Sequence, residues 1–170
     1  MAWPQSRIET CLEELEIIKP FIILSGGWAW HFMSPVGHVE YKHAHDHKDI
    51  DIFVFPENVA TVVSILKSRN FEKVWTKYDK LPSPEDFRRY EKRVDEKISV
   101  KVTIDFFVRS EIPYKEIDGW KIIAPRFLLS LYKTIHSSDT CFAVQAAAKL
   151  LEQGIDPVGC SKLVEIPSAL

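Results

Sequence analysis

No stretch of this sequence approaches the roughly 18 consecutive apolar residues that a membrane span needs. The opening MAWPQSRIETCLEELE also has no charged start, apolar stretch or small-residue cleavage site, so it does not read as a signal peptide. Cysteine is scarce. Cys11, Cys141 and Cys160 are odd in number and far apart, which argues against a disulfide framework and fits reduced thiols in a cytoplasmic protein. Neither sign of charge is in excess. Lys+Arg 22 against Asp+Glu 24 leaves a formal net charge of -2, which excludes a polyanion binder working through bulk positive charge but not a local basic patch. No internal repeat is visible, and no linker is long enough to divide the chain. What is there is globular: 170 residues, 46% hydrophobic, 12% aromatic and 27% charged, the profile of one domain over 1–170 with a core of its own.

Hydrophobic spacing sets out the elements. Ile8, Leu12, Leu15 and Ile18 predict a helix over 6–18 that Pro20 stops. Phe21 to Leu24 is a short apolar run entering Ser-Gly-Gly, a buried strand leading into a tight turn. A short helix over Trp28–Met33 and a polar, His-rich loop over Ser34–His47 follow. Asp49 to Phe55 reads as a central strand, and residues 57–69 as a helix opened by Pro56. Strands are expected over Phe71–Lys77, Phe87–Val94, 98–108 and Trp120–Ile123. Helices at about 126–136 and 140–152 close the pattern. The expectation is an α/β (α+β) domain: a small, mixed, twisted sheet flanked by helices, its core over about 20–125 and its C-terminal helices over about 126–152.

Three features along this frame could do chemistry. Gly26 and Gly27 sit between a strand and a helix, where a sharp turn brings backbone N–H groups close to an anion; glycine-rich turns of this kind are also common without a ligand. Asp49 and Asp51, two residues apart on a strand, place both carboxylates on one face about 7 Å apart, close enough to grip the same divalent ion or a pair of ions. Two charges at the start of an otherwise apolar strand are costly unless something compensates them. Asp105 is the lone acid within Val100–Val108, and either works at a site or pairs with a basic residue on its own strand face, such as Lys101.

Taken together, LSGGWAW, then HKDIDIFV, then Asp105 resembles the nucleotidyltransferase fold superfamily, and in particular its small aminoglycoside-adenylyltransferase-like (minimal nucleotidyltransferase) branch. The resemblance runs from Phe21 to Val108, with IIAPRFLLSLYK as a downstream echo. It implies metal-dependent transfer of a nucleoside monophosphate, AMP favoured, from an NTP to a hydroxyl acceptor: a small molecule, RNA or a protein. Asp49, Asp51 and Asp105 are the implied catalytic residues and ligands of Mg²⁺ or Mn²⁺. Ser25, Gly26 and Gly27 are the implied phosphate cradle, and Lys133 an implied phosphate contact. The sequence departs from the branch in a longer gap between Gly27 and Asp49. It departs again at Ser138-Asp139-Thr140, where a basic residue is missing. Acceptor identity, oligomeric state and the holding of the polyphosphate stay open, and a partner chain or homodimer could complete so short a chain.

Other readings compete. A nucleotidyltransferase-like module could bind a nucleotide, RNA or a protein without turnover. His43, His45, Asp46 and His47 resemble the ligand box of metallo-β-lactamase-type hydrolases, one residue short in spacing. The loop is better read as a lid, with His47 and Lys48 as accessory groups beside Asp49. Between Lys67 and Lys101, eleven basic residues against seven acidic ones, with aromatics among them, could contact RNA; the exposed face of two strands is the preferred reading.

Overall fold

Alternating apolar and polar residues decide which strand faces are buried. In the computed structural model of the chain they build a seven-stranded mixed sheet from the described residues. These are residues 5–33, 49–80, 87–95 and 100–133. The His-rich loop with His43, His45, His47 and Lys48, and the helix expected at 140–152, lie outside them.

The chain opens with α1 (Gln5–Glu16), then β1 (Ile23–Leu24) and α2 (Gly26–Met33). Next come β2 (Asp49–Val54), α3 (Val59–Ser68), β3 (Glu72–Val74) and the long strands β4 (Phe87–Asp95) and β5 (Val100–Val108). A hairpin of β6 (Tyr114–Ile117) and β7 (Trp120–Ile123) precedes α4 (Pro125–Lys133). Across the sheet the order is β3-β4-β5-β2-β1-β7-β6. The central strand β2 runs parallel to β5 and antiparallel to β1.

One face of the sheet is apolar. Ile50, Ile52 and Val54 of β2 lie beside Ile104 and Phe106 of β5, all at most 1% exposed. They share a core with Ile8, Cys11 and Leu15 of α1 and Val62 and Leu66 of α3. Glu14 of α1, itself buried, locks this cover: it accepts from Arg69 Nε at 3.1 Å and from Lys92 Nζ on β4 at 2.5 Å. α3 ends in a Schellman cap. Asn70, at a φ of 66°, turns the chain while its N–H donates to Lys67 O and the Phe71 N–H donates to Leu66 O. Phe71 and Leu66, at the positions where this motif favours apolar residues, are both buried in the same core.

The mixed sheet flanked by helices agrees with the sequence expectation, while two elements differ in extent and a third is additional. The strand expected over Phe71–Lys77 is cut to β3, because Asp79 Oδ2 accepts from the Thr76 N–H at 2.7 Å and folds Lys77–Lys80 into a 3-10 turn. α2 begins at Gly26 rather than Trp28. β6 was not expected, since YKEI is almost wholly exposed on a sheet edge. Its turn has a clear sequence signal all the same: Asp118 and Gly119, at φ values of 52° and 80°, close a two-residue hairpin between Ile117 and Trp120.

Candidate active site

The polar face of the sheet is the reverse of that core. Because Ile50, Ile52 and Val54 point into the core, Asp49, Asp51 and Phe53 leave β2 on the other side. The parallel register then sets Asp105 of β5 directly opposite Asp51, and Thr103 opposite Asp49. Asp49, Asp51 and Asp105 therefore share one face, with Asp51 and Asp105 about 5 Å apart at the backbone, the spacing of neighbouring strands. Asp105 is 8% exposed, while the Asp49 side chain is 38% exposed.

The Ser25-Gly26-Gly27 turn is built against this pair. Ser25, at the end of β1, donates its N–H to Asp51 O at 2.9 Å, and its carbonyl accepts the Ala29 N–H at 3.1 Å to open α2. Gly26 has a φ of 59°, and a Cβ there would overlap Asp51 Oδ2. Glycine is thus required twice, for the left-handed backbone and for the approach to the carboxylate. The first turn of α2 is held beside Asp51, where helix N–H groups favour negative charge.

Sequence reasoning missed Arg89. It lies opposite Asp105 in the antiparallel β4–β5 register and forms a two-pronged ion pair with it, Nε to Oδ1 at 2.7 Å and Nη2 to Oδ2 at 2.8 Å. Arg89 Nη2 also lies 3.9 Å from Asp49 Oδ2. The hydrogen bonds to Asp105 push the Arg89 pKa up, against the opposing effect of burial. The alternative in which Asp105 pairs with a basic residue of its own strand face, such as Lys101, is therefore corrected: the partner comes from β4. Four residues along one strand is about 13 Å, beyond the reach of a direct pair, whereas a cross-strand neighbour is about 5 Å away. Lys101 instead meets Glu91 at 3.4 Å, and Thr103 Oγ1 lies 3.5 Å from the same carboxylate.

The next row on this face is aromatic. Phe53, Phe107 and Phe87 are cross-strand neighbours with ring centroids 5.4 and 5.2 Å apart, and Tyr78 extends the row edge-on at 5.5 Å from Phe87. These rings form an apolar wall one row beyond the carboxylates, lowering the local polarity in which their charges act. Five of the eleven basic residues in the stretch weighed for RNA contact are paired within the fold. Arg69 and Lys92 bind Glu14, Lys73 binds Asp79, Arg89 binds Asp105 and Lys101 binds Glu91.

The donor chemistry suits a hard divalent cation. Mg²⁺ takes carboxylate oxygens, and one or two carboxylates suffice when substrate phosphates complete its shell. Asp49 and Asp51 meet that requirement. Among the described residues no three His, Cys, Asp or Glu side chains already surround a common cation position, and both Asp105 oxygens are engaged by Arg89. Lys133 is the last residue of α4. No helix among the described residues is long and apolar enough to cross a membrane.

The sequence matches no protein-family model and no curated protein. Its fold does match solved structures. The solution structure of the antibiotic-resistance factor ANT(2'')-Ia aligns at 14% identity and a TM-score of 0.57, over 98% of this chain and 91% of that one. A crystal structure of ANT(2'')-Ia in complex with adenylyl-2''-tobramycin aligns at 14% identity and a TM-score of 0.50, over 96% and 94%. ANT(2'')-Ia is an aminoglycoside nucleotidyltransferase, and this chain has the nucleotidyltransferase fold.

Proposed function

We propose that this chain is a metal-dependent nucleotidyltransferase that moves a nucleoside monophosphate, AMP favoured, from an NTP to a hydroxyl acceptor. The observation that carries the reading is the Gly26 turn packed directly against Asp51, with Asp105 in register on the next strand. A glycine turn at a helix start beside carboxylates suited to divalent ions, on a fold shared with a nucleotidyltransferase, supports this reading. A bound divalent ion at Asp49 and Asp51 supplies neutralisation of the charge that builds on the transferring phosphate.

The chain's own residues have separable tasks in this reading. N–H groups of Ser25 to Gly27 orient the polyphosphate at the start of α2. Asp105 accepts the acceptor hydroxyl's proton as that oxygen bonds to the α-phosphorus, while the bond to the departing pyrophosphate breaks. Lys133 neutralises phosphate charge. The Phe53, Phe107 and Phe87 row excludes water from one side. The acceptor belongs to the class of hydroxyl compounds, and the bound adenylyl-2''-tobramycin of ANT(2'')-Ia is one example of a product of that class.

One observation favours the rival reading, a binding module without turnover: Arg89 holds the carboxylate assigned to the proton. The deciding experiment incubates the protein with each α-labelled NTP, Mg²⁺ or Mn²⁺ and a cell extract. Release of pyrophosphate with label on a product, abolished by Asp51→Asn, supports the enzyme. Nucleotide binding with no pyrophosphate supports the module.

A further inference from the structure

Arg89 is a strong cation that the described fold places over the carboxylate group, and its geometry sets a condition on ion binding. Both Asp105 oxygens accept from the guanidinium, and a second carboxylate, Asp49, lies 3.9 Å from it. The three carboxylates carry three negative charges, and Arg89 offsets one. A divalent cation at Asp49 and Asp51 would leave the Arg89 pair with Asp105 intact. A cation that also used Asp105 would have to take the remaining lone pairs of oxygens that Arg89 already holds at 2.7 and 2.8 Å, which brings it close to the guanidinium. Two positive charges sharing one carboxylate also repel each other.

We propose that Arg89 and divalent cations compete for Asp105, so that Arg89 is the counter-ion of Asp105 in the ion-free site and sets how many carboxylates a cation can use. The proposal rests on the nucleotidyltransferase reading for the identity of the cation site. With Arg89 seated, the site is a two-carboxylate one. With Arg89 lifted away it becomes a three-carboxylate site that holds cations more tightly. Asp105 is nearly buried and faces Asp51, so a released Asp105 needs a cation at once. Arg89 is thus a positioning residue, acting on the cation through the carboxylate they share.

The test is Mn²⁺ titration of the full chain, following free Mn²⁺ by electron paramagnetic resonance, with no nucleotide present. Arg89→Gln should tighten Mn²⁺ binding at least tenfold, and Arg89→Lys, which keeps the charge but loses the fork, should fall between Gln and wild type. In an Asp105→Asn background, Arg89→Gln should change Mn²⁺ affinity less than twofold. A second readout covers the case that Arg89→Gln folds poorly: Mn²⁺ should raise the melting temperature of Arg89→Lys more than that of wild type. Unchanged or weakened Mn²⁺ binding in both Arg89 variants would overturn the competition and leave Arg89 a structural strut. Asp51→Asn separates the two ideas. If it abolishes Mn²⁺ binding while the Arg89 variants bind like wild type, the competition alone fails. If Mn²⁺ binds as before in Asp51→Asn, or binds no variant at all, the cation site fails and the competition with it.

Discussion

Gly26 and Asp51 stand so close that no side chain fits between them: a β-carbon on Gly26 would overlap Asp51 Oδ2. The backbone there is left-handed, at a φ of 59°. Gly26→Ala therefore pays twice, in backbone strain of about 1–2 kcal/mol and in displacement of the carboxylate. We expect a lower melting temperature and a loss of nucleotidyl transfer of more than a hundredfold. Gly119→Ala is the control. Its φ is 80°, but its β-carbon would meet only the end of the Lys19 side chain, at 3.4 Å. It should cost similar stability with activity kept, so equal activity in the two variants would detach the Gly26 turn from the chemistry.

The facing pair Asp51 and Asp105 should respond oppositely to neutralisation. Asp51→Asn removes one of three neighbouring negative charges, so stability should hold or rise while transfer is lost. Asp105→Asn takes away the partner of Arg89, whose side chain is 27% exposed and can only partly turn to water. We expect a cost of about 1–2 kcal/mol, discounted for that exposure, in urea unfolding. A stabilised Asp105→Asn would mean that the Arg89 pair contributes nothing to the fold.

The carboxylates were legible because a strand's period of two is a local property. Ile50, Ile52 and Val54 face the core, so Asp49 and Asp51 must face the other way. Which residues meet Asp105 is not local. It depends on how β4 pairs with β5, including a register shift between Arg93 and Asp95 that no alternation pattern reports. The pattern could show that Arg89 shares a face with Phe87 and Glu91, but not that this face meets Asp105 at that level. The β6–β7 hairpin was missed for a different reason: its Asp118-Gly119 turn is explicit in the sequence, but the exposed YKEI has no apolar alternation to support it.

Away from the site, Glu14 holds the helical cover to the sheet. It is 8% exposed and accepts from Arg69 and Lys92, two cations on different elements. Glu14→Gln keeps the shape but not the charge, leaving both cations with a weaker acceptor. The Arg69 side chain is 37% exposed and can recover water, which limits the loss to about 1–2 kcal/mol. Urea unfolding should show that loss with Mn²⁺ binding unchanged. A wild-type midpoint would show that α1 is held by its apolar contacts alone.

Asp79 should make part of the stability depend on pH. Lys73 Nζ donates to its carboxylate at 2.5 Å, and the Thr76 N–H and hydroxyl donate as well. The Lys73 bond first, then the backbone bond, hold its pKa below the ordinary 3.8, against burial. The unfolded chain therefore binds a proton at Asp79 at a higher pH than the folded one does. Between those two values folding becomes more favourable as pH rises. The contribution is complete above the ordinary carboxylate value and is lost as pH falls through the lower folded value. Asp79→Asn, which cannot titrate, should thus be less stable than wild type at pH 7, with the gap closing as the pH is taken below about 4. Melting temperatures of the two proteins from pH 7 to pH 2.5 would measure it. A gap that stays constant across that range would mean that the Asp79 carboxylate titrates alike in both states, and that its hydrogen bonds shape the turn without stabilising the charge.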